Sequence, residues 1–156
     1  MTARYSPAQV IPQPLDQAVE PLPYWFVIGG QAVRCFAPYR PSLDVDFGIE
    51  SAADLDDFVG QLRRLGSVEV QERTGDTAHL LWNGARVSVF LLPHLAAHVA
   101  DRHLDVTGIL ATKLHAILDR GARRDFFDLY VMLQQERLGI VAALSALRRV
   151  YQQQVD

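Results

Sequence analysis

Five apolar residues, Tyr24-Trp25-Phe26-Val27-Ile28, run into Gly29-Gly30, and an alternating segment, Ser42-Leu43-Asp44-Val45-Asp46-Phe47, follows. The first run reads as a strand over 24–29. The glycines let the chain turn with no side chain in the way. In the second segment Leu43, Val45 and Phe47 alternate with Ser42, Asp44 and Asp46. Alternate residues of a strand share a face, so both carboxylates project together while their neighbours enter the core. Two adjacent carboxylates repel each other unless something positive sits with them. A divalent cation answers this, Mg²⁺ in particular, which one or two carboxylates hold together with phosphate oxygens. The competing reading is a solvated acidic edge strand with Arg40 as its ion-pair partner.

The other elements follow from spacing. A helix at 30–38 opens on the glycines, where backbone N–H groups and the helix dipole favour an anion. The strand carrying the acids spans 42–49. A helix at 53–65 has Ser51 and Asp54 as caps and Leu55, Phe58, Val59 and Leu62 at helical spacing. Strands at 67–73, 77–83 and 86–92 follow as an antiparallel meander, with turn chemistry from Asp76 and Asn83-Gly84. Beyond Pro93, helices are expected at 94–102, 107–119, 123–136 and 139–153, the last three separated by Gly121 and Gly139. Val141, Leu144, Leu147 and Tyr151 form an apolar stripe for packing or a partner. The fold class is α+β: a mixed β-sheet flanked by helices, with a helical C-terminal half over 94–153.

With 156 residues, 49% of them hydrophobic, the chain fits one domain over 1–156 with a real core. Pro7, Pro12, Pro14 and Pro21 suggest an irregular segment over 1–22. No secretory signal and no apolar run of membrane-spanning length is seen, and a single cysteine, Cys35, cannot pair internally. A cytoplasmic setting is expected. Net charge is −3, which does not mark a strong non-specific nucleic-acid binder. Residues 1–100 carry seven Lys/Arg against eleven Asp/Glu, and residues 101–156 carry eight against seven. The late arginines could meet a triphosphate.

Gly29-Gly30 followed by Asp44-Val45-Asp46 resembles the nucleotidyltransferase fold of the DNA polymerase β type. Arg40-Pro41-Ser42-Leu43-Asp44-Val45-Asp46, with the later Ile109–Arg120 and Arg123–Tyr130 segments, is similar to the AbiEii/AbiGii group of bacterial toxins. The likeness covers roughly residues 22 to 135. It implies that Asp44 and Asp46 coordinate Mg²⁺ or Mn²⁺, that Gly29 and Gly30 cradle the triphosphate of an NTP, and that Lys113 faces the nucleotide. Arg40, Ser42 and Arg120 join the nucleotide-binding set, and Asp128 joins Asp44, Asp46 and Lys113 in the catalytic set. The implied reaction is transfer of a nucleoside monophosphate to an RNA acceptor such as tRNA, in a toxin–antitoxin or phage-defence pair with a cognate antitoxin. Transfer to a small molecule, as in aminoglycoside modification, and a non-catalytic nucleotide- or protein-binding module are the rivals. No membrane partner is expected.

Each later residue also has a plainer reading. Arg40 serves a triphosphate or a structural salt bridge equally well. Lys113 and Arg120, seven apart, share a helix face, and a lysine there often snorkels to solvent. Asp125 and Asp128 are neighbours on the next helix, with Arg124 able to pair across. An Arg–Asp network locking two helices, orienting Lys113 or Arg120, is expected there. Enzymes of the resembled fold carry a third carboxylate on a later strand, and Ser88 stands where it is expected. Serine makes neither a good base nor a strong Mg²⁺ ligand. Either another acid, Glu72 or Asp76, fills the role, or transfer proceeds slowly with two carboxylates, or the domain binds nucleotide without transferring it. His94 and His98 lack partners at zinc spacing and read as an amphipathic helix. Cys35 reads as core.

Overall fold

The structure is a computed structural model, which describes residues 3–42 and 44–152. Strand β1 (Phe26–Val27) leads into helix α3 (Gly29–Phe36), and β2 (Val45–Ile49) into α4 (Ala52–Leu65). The meander expected from the turn residues is present as β3 (Val68–Arg73), β4 (Thr77–Trp82) and β5 (Ala85–Leu91). Two short strands, β6 (Val99–Ala100) and β7 (His103–Leu104), precede α5 (Val106–Asp119), α6 (Arg123–Gln135) and α7 (Ile140–Tyr151). One mixed seven-stranded sheet has the order β3-β4-β5-β2-β1-β7-β6. β2 runs parallel to β5 and β1 parallel to β7, while the other pairs are antiparallel.

One sheet face is the core. Val45, Phe47, Ala78, Leu80, Val87 and Val89 are buried there, against α4, whose Leu55, Phe58, Val59 and Leu62 are buried in turn. The Phe47 and Phe58 rings lie 4.8 Å apart, and Trp82 Nε1 donates to the Leu62 carbonyl at 2.9 Å. Ser51 caps α4 through a reciprocal exchange with Asp54. By the period of two, the intervening Asp46, Ser88 and His79 fall on the other face, which is only half-buried. Helices α6 and α7 each pack on α5, and α3 packs on both α5 and α6. That contact brings residues 29–46 and residues 113–124 around one cleft.

Four expectations need correction. The strand expected over 24–29 is confined to Phe26–Val27, with the following helix already under way at Gly29. The 1–22 segment is not irregular, since α1 (Pro7–Val10) and α2 (Gln13–Val19) form there. Their prolines sit at the first helical turn, where the missing N–H is no loss. The helix expected at 94–102 is a 3₁₀ turn over Pro93–His98 followed by the β6–β7 hairpin, with Asp101 and Arg102 at positive φ in its turn. The strand expected at 42–49 starts at Val45. Ahead of it, Gln31 Nε2 donates to the carbonyls of Ser42 at 2.8 Å and Asp44 at 3.4 Å, replacing a neighbouring strand. Leu43 and residues 153–156 lie outside the described residues.

Candidate active site

The cleft is built around the first turn of α3. Gly29 has φ +61°, and a Cβ there would stand 3.1 Å from Asp46 Oδ2. A Cβ on Gly30 would stand 3.0 Å from Ser42 Oγ and 3.1 Å from Arg40 Nη2. The absence of both side chains lets Asp46, Ser42 and Arg40 approach a helix start, whose leading N–H groups have no intrahelical acceptor. The cleft has a volume of about 270 Å³ and is lined by Gly29, Gly30, Arg40, Pro41, Ser42, Asp44, Asp46, Lys113, Arg120 and Arg124. All eight residues expected to bind nucleotide or metal are among them, although Asp44 precedes the strand rather than lying on it. Arg124, expected to pair with an aspartate and counted among the late arginines that could meet a triphosphate, lines the cleft as well.

Lys113 is the only lysine in the chain, against fourteen arginines. Its side chain is 7% exposed and its Nζ lies 2.7 Å from Asp128 and 3.2 Å from Asp125. Arg120 pairs with Asp125 at 2.9 Å. Asp128 also receives Arg40 at 2.7 Å and the Tyr39 hydroxyl. Arg40 therefore pairs with Asp128, not with Asp44 or Asp46. Burial pushes the Asp125 and Asp128 carboxyls up. The Arg120 hydrogen bond on Asp125 and the Arg40 hydrogen bond on Asp128, with Lys113 on both, outweigh burial and hold them below the usual range. Asp128 is wholly buried and does not line the cleft, so it is placed to position Lys113 and Arg40 rather than to touch a ligand.

Asp46 runs the opposite way. Burial first, then the charge of Asp44, pushes its carboxyl above the ordinary range, and Lys113, Arg124 and Arg120 pull it only partly back. The pair would welcome a hard divalent cation, and its oxygens are the donors such an ion prefers. Among the described residues no set of three or more His, Cys, Asp or Glu gathers to hold a metal. An ion here would draw its remaining ligands from phosphate and water, which is the habit of Mg²⁺.

A family model described as "Nucleotidyl transferase AbiEii toxin, Type IV TA system" matches residues 15–156. The chain belongs to the AbiEii family of nucleotidyltransferase toxins. The family expected from the glycines and acids is thus shown. Solved structures share the family's nucleotidyltransferase fold. The antibiotic-resistance factor ANT(2'')-Ia aligns with a TM-score of 0.61 at 10% identity, over 89% of this chain and 88% of that one. An H. pylori protein described as a nucleotidyltransferase aligns with a TM-score of 0.60 at 15% identity, over 90% of this chain and 73% of that one. No curated protein matches the chain in sequence.

In this AbiEii-family chain, Ser88 sits in register beside Asp46 on the parallel strand. Neither alternative acid reaches the cleft: Glu72 is exposed on β3, and Asp76 lies in the β3–β4 turn bonded to Thr74 and Thr77. A second lobe of about 230 Å³ shares Gly29, Asp46, Lys113 and Arg120 with the first, and adds Phe90, Thr112, His115 and Asp119. Sequence reasoning missed these four. The lone lysine, by contrast, was a signal available from composition. His94 and His115 lie against Tyr151, with ring centroids 5.3 and 4.4 Å away, an aromatic cluster rather than a zinc site. Cys35 is buried, as expected of core, and burial pushes its thiol up to about 12. Among the described residues no helix is long and apolar enough to cross a membrane.

Proposed function

We propose that this protein transfers a nucleoside monophosphate from an NTP to a hydroxyl of an RNA, such as a tRNA end, as the toxin of a cytoplasmic toxin–antitoxin pair. The observation that carries the reading is the convergence of Gly29-Gly30, the Asp44/Asp46 pair and the cations Arg40, Lys113, Arg120 and Arg124 on one cleft. Arg40, Lys113 and Arg120 are balanced by Asp125 and Asp128 behind the cleft. A triphosphate would therefore be met by Arg124, by the cleft-facing sides of these cations and by a metal ion on Asp44 and Asp46. Asp44 and Asp46 would hold Mg²⁺ or Mn²⁺, which when bound supplies charge neutralisation at the transferred phosphorus. The glycine backbone then accommodates the phosphate chain, Lys113 contacts a phosphate oxygen, and the network behind it holds its ammonium in place. Support for an RNA acceptor comes from α6, where Phe126, Phe127 and Tyr130 stand more than half exposed beside Arg123 and Arg124. Exposed aromatic faces next to arginines suit unstacked bases.

The test is incubation with each labelled NTP, Mg²⁺ or Mn²⁺, and total RNA, beside an Asp44→Asn/Asp46→Asn double variant. Label in RNA with the native chain alone is expected. Equal labelling by the double variant would sink the mechanism. Labelling of an added small hydroxylated acceptor in place of RNA would select the small-molecule reading. Ser88 favours a second reading, a nucleotide-binding module without transfer. Nucleotide binding with no product under either metal would select it.

A further inference from the structure

The half-open sheet face carries a polar row that crosses four strands. Asp46 on β2 is in register with Ser88 on β5, Ser88 with His79 on β4, and His79 with Glu72 on β3. Register partners on paired strands share a face. One carboxylate of the candidate metal pair is therefore continued sideways by a hydroxyl, an imidazole and another carboxylate. His79 Nδ1 lies 2.7 Å from Ser88 Oγ, and His79 Nε2 lies 3.9 Å from Glu72 Oε2. Phe90, whose ring meets His79 edge-on with centroids 5.5 Å apart, is also a wall of the second lobe. The row thus meets the second lobe at Asp46 and runs beside Phe90, while Ser88 and His79 stand behind the lobe's lining residues.

Resting on the nucleotidyl-transfer reading above, we propose that Ser88 and His79 together take the proton of the acceptor hydroxyl, standing in for a third carboxylate. In the tautomer with its proton on Nε2, toward Glu72, His79 Nδ1 accepts from the Ser88 hydroxyl. The acceptor oxygen bonds to the α-phosphorus as the bond from that phosphorus to the bridging oxygen breaks. Pyrophosphate leaves with the electron pair. The acceptor proton passes to Ser88 Oγ while the Ser88 proton passes to His79, whose imidazolium faces the Glu72 carboxylate and later releases its proton to water. Serine alone is too weak a base for this, and hydrogen-bonded to histidine it relays to a competent one. The charged groups around His79 are Glu72 on β3, Arg86 two residues from Ser88 on β5, and Asp46 on β2. Across the second lobe stand His115 and Asp119 of α5.

The experiment measures single-turnover transfer to the RNA acceptor against pH, and NTP binding, for the native chain, His79→Gln, Ser88→Ala, Asp119→Asn and the Ser88→Asp/His79→Gln double variant. His79→Gln is expected to lower the rate about 100-fold or more, with NTP affinity and melting temperature unchanged. The native rate should rise with pH along one limb, and His79→Gln should lose that limb. Ser88→Asp should restore transfer to the His79→Gln chain, with the limb moved to the acid range of a carboxylate. A purely structural hydrogen bond would give neither the lost limb nor the rescue. A native rate and profile in His79→Gln, or loss of the limb in Asp119→Asn instead, would overturn this proposal while leaving transfer intact. Absence of transfer by the native chain to any acceptor, with NTP bound, would overturn both readings.

Discussion

Gly29 and Gly30 are adjacent, and physics separates their roles. Gly29 needs its glycine for the backbone: φ is +61°, where a side chain costs about 1–2 kcal/mol. Its added Cβ would also press on Asp46 Oδ2. Gly30 has ordinary helical geometry, and its added Cβ meets the ends of two side chains, Ser42 and Arg40. Gly29→Ala should therefore melt several degrees lower and bind NTP weakly. Gly30→Ala should melt at or above the native temperature, since alanine gains about 0.5–1 kcal/mol over glycine in a helix, yet bind NTP weakly because Arg40 and Ser42 are displaced. Thermal melts beside NTP titrations check the pair; equal melting of the two variants would refute the distinction. The glycines and acids were legible in the chain because their chemistry is local. The Arg40–Asp128 pair was not, because its partners are 88 residues apart and only the α3–α6 contact brings them together.

The packing of α5 on α6 depends on buried charge. Asp125 and Asp128, both essentially inaccessible, answer Lys113, Arg120 and Arg40. Removing one partner of a buried pair costs about 3–5 kcal/mol, because the other is left uncompensated. Asp128→Asn should thus lower stability by about 3 kcal/mol. Both carboxyls have folded-state values below their unfolded ones. Their contribution is complete above the unfolded value of about 3.9 and disappears as pH falls through the folded value. The native melting temperature should drop steeply on acidification below about pH 4, and Asp128→Asn should show a shallower drop. A native chain no more acid-sensitive than the variant would contradict the network's energetic role. The same elements show what pattern reading can and cannot do. α4 and β3–β5 were legible because alternation, caps and turn residues agree with one another. The N-terminal helices were hidden because proline reads as a breaker until its position in the first turn is known. The β6–β7 hairpin was hidden because two-residue strands carry no period.

At the scale of the whole molecule, the cleft joins distant parts of one chain. Gly29, Gly30, Asp44 and Asp46 come from the early sheet–helix unit, and Lys113, Arg120 and Arg124 from the late helices. A ligand that touches both groups links them, and anything that binds only the folded state raises its stability. At a hundredfold excess over Kd this amounts to about 2.7 kcal/mol, or roughly 5–11 °C at about 2–4 °C per kcal/mol for a chain near this size. Mg²⁺ and an NTP together should produce such a shift, and either alone much less, because Asp44 and Asp46 repel a bare triphosphate. The metal-free cleft is itself under electrostatic load. Asp46 has a folded-state value above its unfolded one, so its share of stability is present at low pH and is lost as pH rises through the folded value. The Asp44→Asn/Asp46→Asn chain lacks that repulsion. At neutral pH and without ligand it should melt higher than the native chain, yet gain nothing further from Mg²⁺ with NTP. Melting curves of both chains, with each ligand alone and combined, read this directly. A double variant that melts lower without ligand would show that the two aspartates support the fold. One that still shifts with Mg²⁺ and NTP together would place the metal elsewhere.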